Sequence, residues 1–155
     1  MGTDQKLVRD TFSGKHSDTT DRVLKVFYEV YNELGGGFLE SVYHSALMIA
    51  LAEDGLSVAS QVAVPVYFRG RIVGDFRADL IVNDEVLLEL KATQILDRVH
   101  EAQALHYLKA TKIEVALLLN FGPKPQFKRL LLDNDQKKIR EYPCESVVSS
   151  LGGAR

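Results

Sequence analysis

Residues 113–121, IEVALLLNF, are apolar almost throughout and are closed by Gly122-Pro123-Lys124-Pro125. Such a run reads as a strand covered on both faces within a mixed sheet, with the glycine and prolines ending it. A strand of this kind cannot sit at a solvated edge. The rest of the chain must therefore provide neighbouring strands and helices to lie over both faces of the sheet.

The helices are visible upstream. Residues 17–20 (Ser-Asp-Thr-Thr) offer N-cap oxygens ahead of a segment whose apolar positions Val23, Val26, Phe27, Val30, Tyr31 and Leu34 recur every three or four residues, which predicts a helix. Gly35-Gly36-Gly37 stops it, and a second helix is expected from about Phe38 to Gly55. Phe38, Leu39, Val42, Tyr43, Ala46, Leu47, Ile49, Ala50 and Leu51 put apolar residues nearly all round it, predicting burial on several sides. From Ser57 the periodicity becomes that of strands, over 61–68, 72–82 and 86–91, with turns at Arg69-Gly70-Arg71 and Asn83-Asp84. Residues 97–110 read as a helix with Ile95, Val99, Ala102 and His106 along one face, and 127–132 as a last short strand. The expected order is α-α-β-β-β-α-β-β, without linker or internal repeat. That is one α/β domain over 1–155, with a core of about 20–132 between a polar N-terminal segment, 1–17, and a polar tail, 133–155.

Composition narrows the function. With 155 residues, 46% of them hydrophobic and 26% charged, the chain can bury roughly 70% of its unfolded surface as a soluble domain. Its net charge of -2 gives no overall basic field, so any contact with phosphates must come from a local patch. The single cysteine, Cys144, has no CxxC partner, which removes support for zinc or thiol redox chemistry. The longest apolar run, 46–52, is far short of the about 20 residues of a membrane span, and the opening MGTDQKLVRD has no secretory apolar core. Lys6 stands where a myristoylation signal needs Ser or Thr. A cytoplasmic location with no membrane partner is expected. No P-loop or G-x-S-x-G occurs, and the glycine run does not follow a strand as a nucleotide fingerprint should.

Three features stand out against this background. Glu40 shares its helical neighbourhood with Tyr43 and Leu47, so its carboxylate should need a cation or donors nearby, for which Arg77 is the plain candidate. Asp79 and Glu89 lie on successive strands and could converge over one sheet face. Such carboxylates repel, a divalent cation relieves the repulsion, and Mg²⁺ in particular favours a few carboxylate oxygens with retained waters. Lys91 falls on the same strand face as Glu89, where an ammonium could hold or activate a water. The ordinary alternative is a solvated Glu-Lys pair, but Val86, Leu87, Leu88 and Leu90 argue against a solvated strand. On the following helix His100, Gln103 and Tyr107 form a polar edge fit to touch a ligand, while His106 reads as a hydrogen-bonded core residue.

Taken in order, these residues resemble the PD-(D/E)xK nuclease superfamily, and within it the family named for its G-x-x-E-x-x-Y motif, here Gly37-Phe38-Leu39-Glu40-Ser41-Val42-Tyr43. Asp79, the Glu89-Leu90-Lys91 triplet, Gln103-Ala104-Leu105-His106-Tyr107 (similar to the Q-x-x-x-Y of RecB-like and phage exonuclease relatives) and the strand end Leu119-Asn120-Phe121 complete it, over about 20–132. The proline of the superfamily's name is Ala78 here. The resemblance implies a restriction-endonuclease-like core, a central mixed β-sheet flanked by helices. It implies Mg²⁺ or Mn²⁺ held by Glu40, Asp79, Glu89 and the carbonyl of Leu90, with Lys91 orienting or deprotonating the attacking water. His100, Gln103 and Tyr107 would then touch nucleic acid, DNA rather than RNA. It implies a phosphodiesterase and leaves open a homodimer, a helicase or repair partner, and the alternative of a non-catalytic binding or assembly module. It also sets a geometric condition. A two-residue turn at Asn83-Asp84 would pair Asp79 with Leu88 and send the carboxylates to opposite faces, so a three-residue loop, 83–85, pairing Val82 with Val86, is expected.

Overall fold

A computed structural model describes residues 14–137. The polar N-terminal segment up to residue 13 and the tail beyond residue 137, Cys144 included, lie outside the described residues.

Helix α1, Ser17–Leu34, buries Val23, Val26, Phe27 and Val30 of the stripe its spacing predicts and Leu24 beside them, while Tyr31 and Leu34 are half-buried against the same core. Its start differs from the expected capping. His16 occupies the N-cap with no side-chain cap, and the Thr20 hydroxyl turns back to the carbonyls of His16 and Ser17 at 3.2 and 3.0 Å. Thr19 instead donates to the Glu85 carboxylate at 2.7 Å, tying the helix start to a distant turn. Gly35, at φ 73, ends the helix.

Helix α2, Glu40–Glu53, buries only Tyr43, Leu47 and Leu51, one stripe at spacings of four. The expectation of burial on several sides is corrected. Ile49 is 61% exposed and Val42 also faces solvent, because α2 lies beside α1 in an outer layer and has only one face to give to the sheet.

The strands β1 (Val58–Phe68), β2 (Arg71–Val82), β3 (Val86–Lys91), β4 (Val115–Phe121) and β5 (Pro125–Leu131) form one mixed sheet in sequential order. All pairs are antiparallel except β3 with β4, which run parallel and so need a crossover, supplied by α3, Arg98–Lys109. Every residue of β4 is buried, as the apolar run requires. One core lies between the sheet and α1–α2, around Phe27, Tyr43, Leu80, Leu88 and Leu117, and a second lies under α3. The buried face of α3 is Ala104, Tyr107 and Leu108, not the expected Ile95, Val99 and Ala102 line, whose Ile95 and Val99 are exposed. Tyr107, expected on a polar edge with His100 and Gln103, is instead buried, because the sheet side took the stripe that carries it and Leu108.

Candidate active site

The loop between β2 and β3 determines whether a site exists at all. Asn83 and Asp84 are left-handed, at φ 53 and 56, and the Glu85 N–H closes on the Val82 carbonyl at 2.9 Å. Val82 pairs with Val86, so Glu85 is the extra residue and the register is the one a shared carboxylate face requires. Asn83 is held at both ends of its own residue, its N–H donating to the Ser57 carbonyl and its Oδ1 accepting the Ser57 N–H. Glu85 in turn accepts the Thr19 bond at the start of α1.

With this register, Asp79 and Glu89 meet across the hairpin, and each carboxylate accepts a backbone N–H from the facing strand. The Leu90 N–H donates to Asp79 Oδ2 at 2.8 Å, and the Asp79 N–H donates to Glu89 Oε1 at 3.3 Å. Glu89 is 3% exposed. Burial, then the neighbouring Asp79 charge and more weakly Glu40, push its carboxyl up to about 8, against smaller opposing pulls from the Asp79 N–H and Lys91. Lys91 follows Glu89 on the same strand face. Its Nζ donates to Gln103 Oε1 at 3.1 Å, and Gln103 Nε2 lies 3.5 Å from the Tyr107 hydroxyl. Burial, and secondarily the charge of Glu89, raise the Tyr107 phenol above its ordinary range.

Two other predicted residues stand differently. Glu40 is exposed in the first turn of α2 rather than paired with Arg77, whose guanidinium donates to the Gln61 carbonyl at 3.0 Å. A carboxylate at a helix N-terminus is favoured by the helix dipole and, in water, needs no cation. His100 accepts the Asp97 N–H through Nδ1 at 3.2 Å and completes a capping box that starts α3, so one ring nitrogen has a structural task. His106, expected to be hydrogen-bonded in the core, instead packs edge-on against Phe76 at 4.6 Å, and its Nε2 has no partner among the described residues.

The donor set suits a hard divalent cation. Asp79 and Glu89 offer oxygen only, each retains a second carboxylate oxygen, and the Leu90 carbonyl belongs to the same strand; one or two carboxylates with waters is the usual Mg²⁺ arrangement. Among the described residues no three His, Cys, Asp or Glu side chains stand together as a metal cluster, so Glu40 acts at Glu89 through its charge and is not grouped with the pair.

Several supporting residues had no clear signal in the sequence. His44, one turn beyond Glu40, places Nε2 3.3 Å from both the Asp79 carbonyl and Ser60 Oγ. Gln61, within β1, has φ 51, a left-handed backbone among strand residues whose register would set it opposite Asp79. The Tyr43 hydroxyl donates to the Gly35 carbonyl at 2.6 Å and accepts the Phe38 N–H at 3.2 Å, while its ring stacks on Phe121 at 4.3 Å. The glycine loop is thus wrapped round a buried phenol, which explains why Glu40 begins a helix where it does. At the other end of the site, buried Asn120 exchanges two 2.9 Å bonds with the backbone of Thr93, fixing the chain as it leaves Lys91.

Residues 17–130 match the family described as the PD-(D/E)XK nuclease superfamily. No curated protein matches the chain. Among solved structures it is similar to the crystal structure of SSO0001, with a TM-score of 0.50 at 14% identity over 74% of this chain and 59% of that one. It is also similar to an alkaline exonuclease, LHK-Exo, from Laribacter hongkongensis, with a TM-score of 0.48 at 12% identity over 97% of this chain and 87% of that one. The chain thus spans less than two thirds of the length of the SSO0001 chain.

Proposed function

The chain belongs to the PD-(D/E)XK nuclease superfamily and has its restriction-endonuclease-like mixed sheet flanked by helices, and from this premise we propose that it is a metal-dependent phosphodiesterase acting on DNA. The observation that carries the reading is the meeting of Asp79 with buried Glu89 across the hairpin, with Lys91 on the same side. An isolated buried carboxyl would simply stay protonated. A second carboxylate beside it, with an ammonium two residues on, is an arrangement that gains stability when a cation arrives.

Mg²⁺ or Mn²⁺ held by Asp79, Glu89 and the Leu90 carbonyl would supply Lewis acidity toward a phosphate oxygen. Glu40 would contribute its charge from the α2 terminus. Lys91 would hold the attacking water or share in its deprotonation, and Gln103 keeps the ammonium aimed by accepting a hydrogen bond from it. Tyr107, its phenol neutral, backs Gln103 from the helix. Asn120 prevents the Lys91 end of β3 from drifting. Within the superfamily we place the chain in the G-x-x-E-x-x-Y family, supported by the left-handed backbone of Gly37, the helix start at Glu40 and the bonds of the Tyr43 hydroxyl to the Gly35 carbonyl and Phe38 N–H. No helix among the described residues is long and apolar enough to cross a membrane.

The test is incubation of the full chain with linear, circular and single-stranded DNA, and with RNA, in Mg²⁺, Mn²⁺ or EDTA. Cleavage of DNA that EDTA abolishes is expected. Inactivity on every polymer with both metals would overturn the nuclease reading in favour of a binding or assembly module.

A further inference from the structure

The β1–β2 hairpin is much longer than the sheet needs. β1 and β2 have 11 and 12 residues, β3 has 6, and β2 pairs with β3 only from Leu80 to Val82, whereas β1 and β2 stay paired as far as Phe68 with Arg71. The remainder continues as a two-stranded ribbon with no third strand beside β2 among the described residues, its near part packed under α3 through Val64 and Ala78 and its far part exposed. Its end is a tight turn at Arg69 and Gly70, both left-handed at φ 51 and 78, so the ribbon is a defined element.

This ribbon is both apolar and basic. Phe68, Ile72 and Val73 are 56, 58 and 63% exposed, and Phe76 is 40% exposed. Between Val62 and Ala78 the charged residues are Arg69, Arg71, Arg77 and Asp75, a local excess of positive charge in a chain of net charge -2. The Arg69 guanidinium lies 4.8 Å over the Phe68 ring. Phe76 pairs with Val64, which belongs to the core under α3, so its ring is on the α3 side, and it borders both His106 and Tyr107. Glu89 and Lys91 are on that side too, since they stand two and four residues along the strand from Leu87 of the same core. A Cβ on Gly74 would meet the Phe76 ring at 2.7 Å, so the glycine leaves the space in which the ring lies.

Resting on the nuclease reading, we infer that this hairpin is a holding arm for nucleic acid with unpaired bases, Phe76 and Phe68 stacking on base faces while Arg69 and Arg71 take phosphates. Arginines alone would suit a duplex, whose base faces are already stacked inside and whose phosphates are all it offers. Exposed aromatic rings beside arginines are matched instead by open base faces joined by phosphates, the pattern of single-strand binding. A second copy of the chain fits less well, because a two-fold contact through the ribbon end would bring Arg69 and Arg71 toward their own equivalents. The groove between α1 and α2 is no rival, being lined by Glu29, Glu33, Glu53 and Asp54.

The experiment uses the full chain carrying Lys91→Ala, so that the strand remains whole, in Mg²⁺. Fluorescence anisotropy compares a labelled single strand, the same strand with abasic sites, and a blunt duplex. Single strand should bind at least about tenfold tighter than abasic strand, at the level of one stacked base. Phe68→Ala, at an exposed position that leaves the core untouched, and Phe76→Ala should each weaken single-strand binding about 5- to 100-fold and leave the abasic strand unaffected. Arg71→Ala should weaken both and lower the salt slope by about 0.7. Equal binding of single and abasic strands, wild-type binding by the phenylalanine variants, or self-association in sedimentation that Phe68→Ala abolishes would each overturn the arm. Cleavage of the same oligonucleotides by the chain with Lys91 intact is scored separately. Cleavage indifferent to Phe68 and Phe76 removes the arm and keeps the nuclease, whereas phenylalanine-dependent binding without cleavage does the reverse.

Discussion

Glu89 and Lys91 are two residues apart on one strand face and have opposite energetic characters. Glu89 is buried beside a like charge, and its carboxyl, ordinarily near 4.5, is pushed up to about 8 in the fold. Between those pH values the folded state keeps a proton that the unfolded chain has released, so stability from this group is full below about pH 4.5 and is lost as pH rises through 8. Glu89→Gln should therefore remove a fall in metal-free melting temperature between pH 5 and pH 8. A thermal melt series in EDTA checks this, and parallel curves for the two proteins would mean that Glu89 does not titrate there. Lys91 is partly solvated and hydrogen-bonded to Gln103, so Lys91→Ala should leave the fold and metal binding in place. Cleavage should drop on the order of 10²- to 10⁴-fold, the usual weight of one acid-base group. A lysine that merely paired with Glu89 would be worth at most about 1 kcal/mol, about fivefold, so a loss that small in a single-turnover assay would take Lys91 out of the mechanism. These residues were legible because strand alternation places i and i+2 together. His44 and Gln61 were not, since a helical histidine and a mid-strand left-handed glutamine acquire meaning only through what Asp79 brings beside them.

Among the elements, the turn at 83–85 has the widest consequences. One residue of loop length decides whether Asp79 faces Glu89 or Leu88, and Asn83, Ser57, Glu85 and Thr19 hold that length with three hydrogen bonds. Deleting Glu85 should shift the register by one and separate the carboxylates, so the variant should lose both stability and any response to Mn²⁺ in differential scanning fluorimetry. The register was readable only from the condition that the two carboxylates share a face, since residue count alone also allowed a two-residue turn that sets Asp79 against Leu88. The buried side of α3 was not, since Val99 and Tyr107 both fit a helical period and only the sheet chooses between them. A second close fit lies at the end of β4, where a Cβ on Gly122 would meet the Thr93 carbonyl at 2.0 Å, inside the clasp made by Asn120. Backbone cannot yield as a side-chain tip does. Gly122→Ala should cost about 2 to 4 kcal/mol in urea unfolding and should reduce cleavage beyond the stability loss, by loosening the chain just after Lys91.

At the scale of the whole molecule, two groups of acidic residues among the described ones differ in what holds them. Glu29, Glu33, Glu53 and Asp54 line a groove between α1 and α2 that is open to water, and Arg22 and Lys25 already pair with Asp54. Asp79 and Glu89 are instead held at the sheet by backbone bonds that survive whether or not a cation arrives, leaving their repulsion to be relieved from outside. An ion that binds only the folded state stabilises it by mass action, by about 2.7 kcal/mol at a hundredfold excess over its dissociation constant. For a chain of this size that is a rise of roughly 5 to 10 °C in melting temperature. The informative variant is Asp79→Asn, because the amide keeps an oxygen to accept the Leu90 N–H while removing the charge. In EDTA at pH 8, where Glu89 begins to ionise beside Asp79, it should melt at or above the wild-type temperature, since the charge that opposes that ionisation is gone. In Mn²⁺ or Mg²⁺ it should show no rise. Since the cation takes the ionised pair, the wild-type rise should also be larger at pH 8 than at pH 5, and chelation should reverse it. A full rise in Asp79→Asn would place the bound ion elsewhere, the acidic groove being the first place to look, and would leave the hairpin carboxylates without their proposed role.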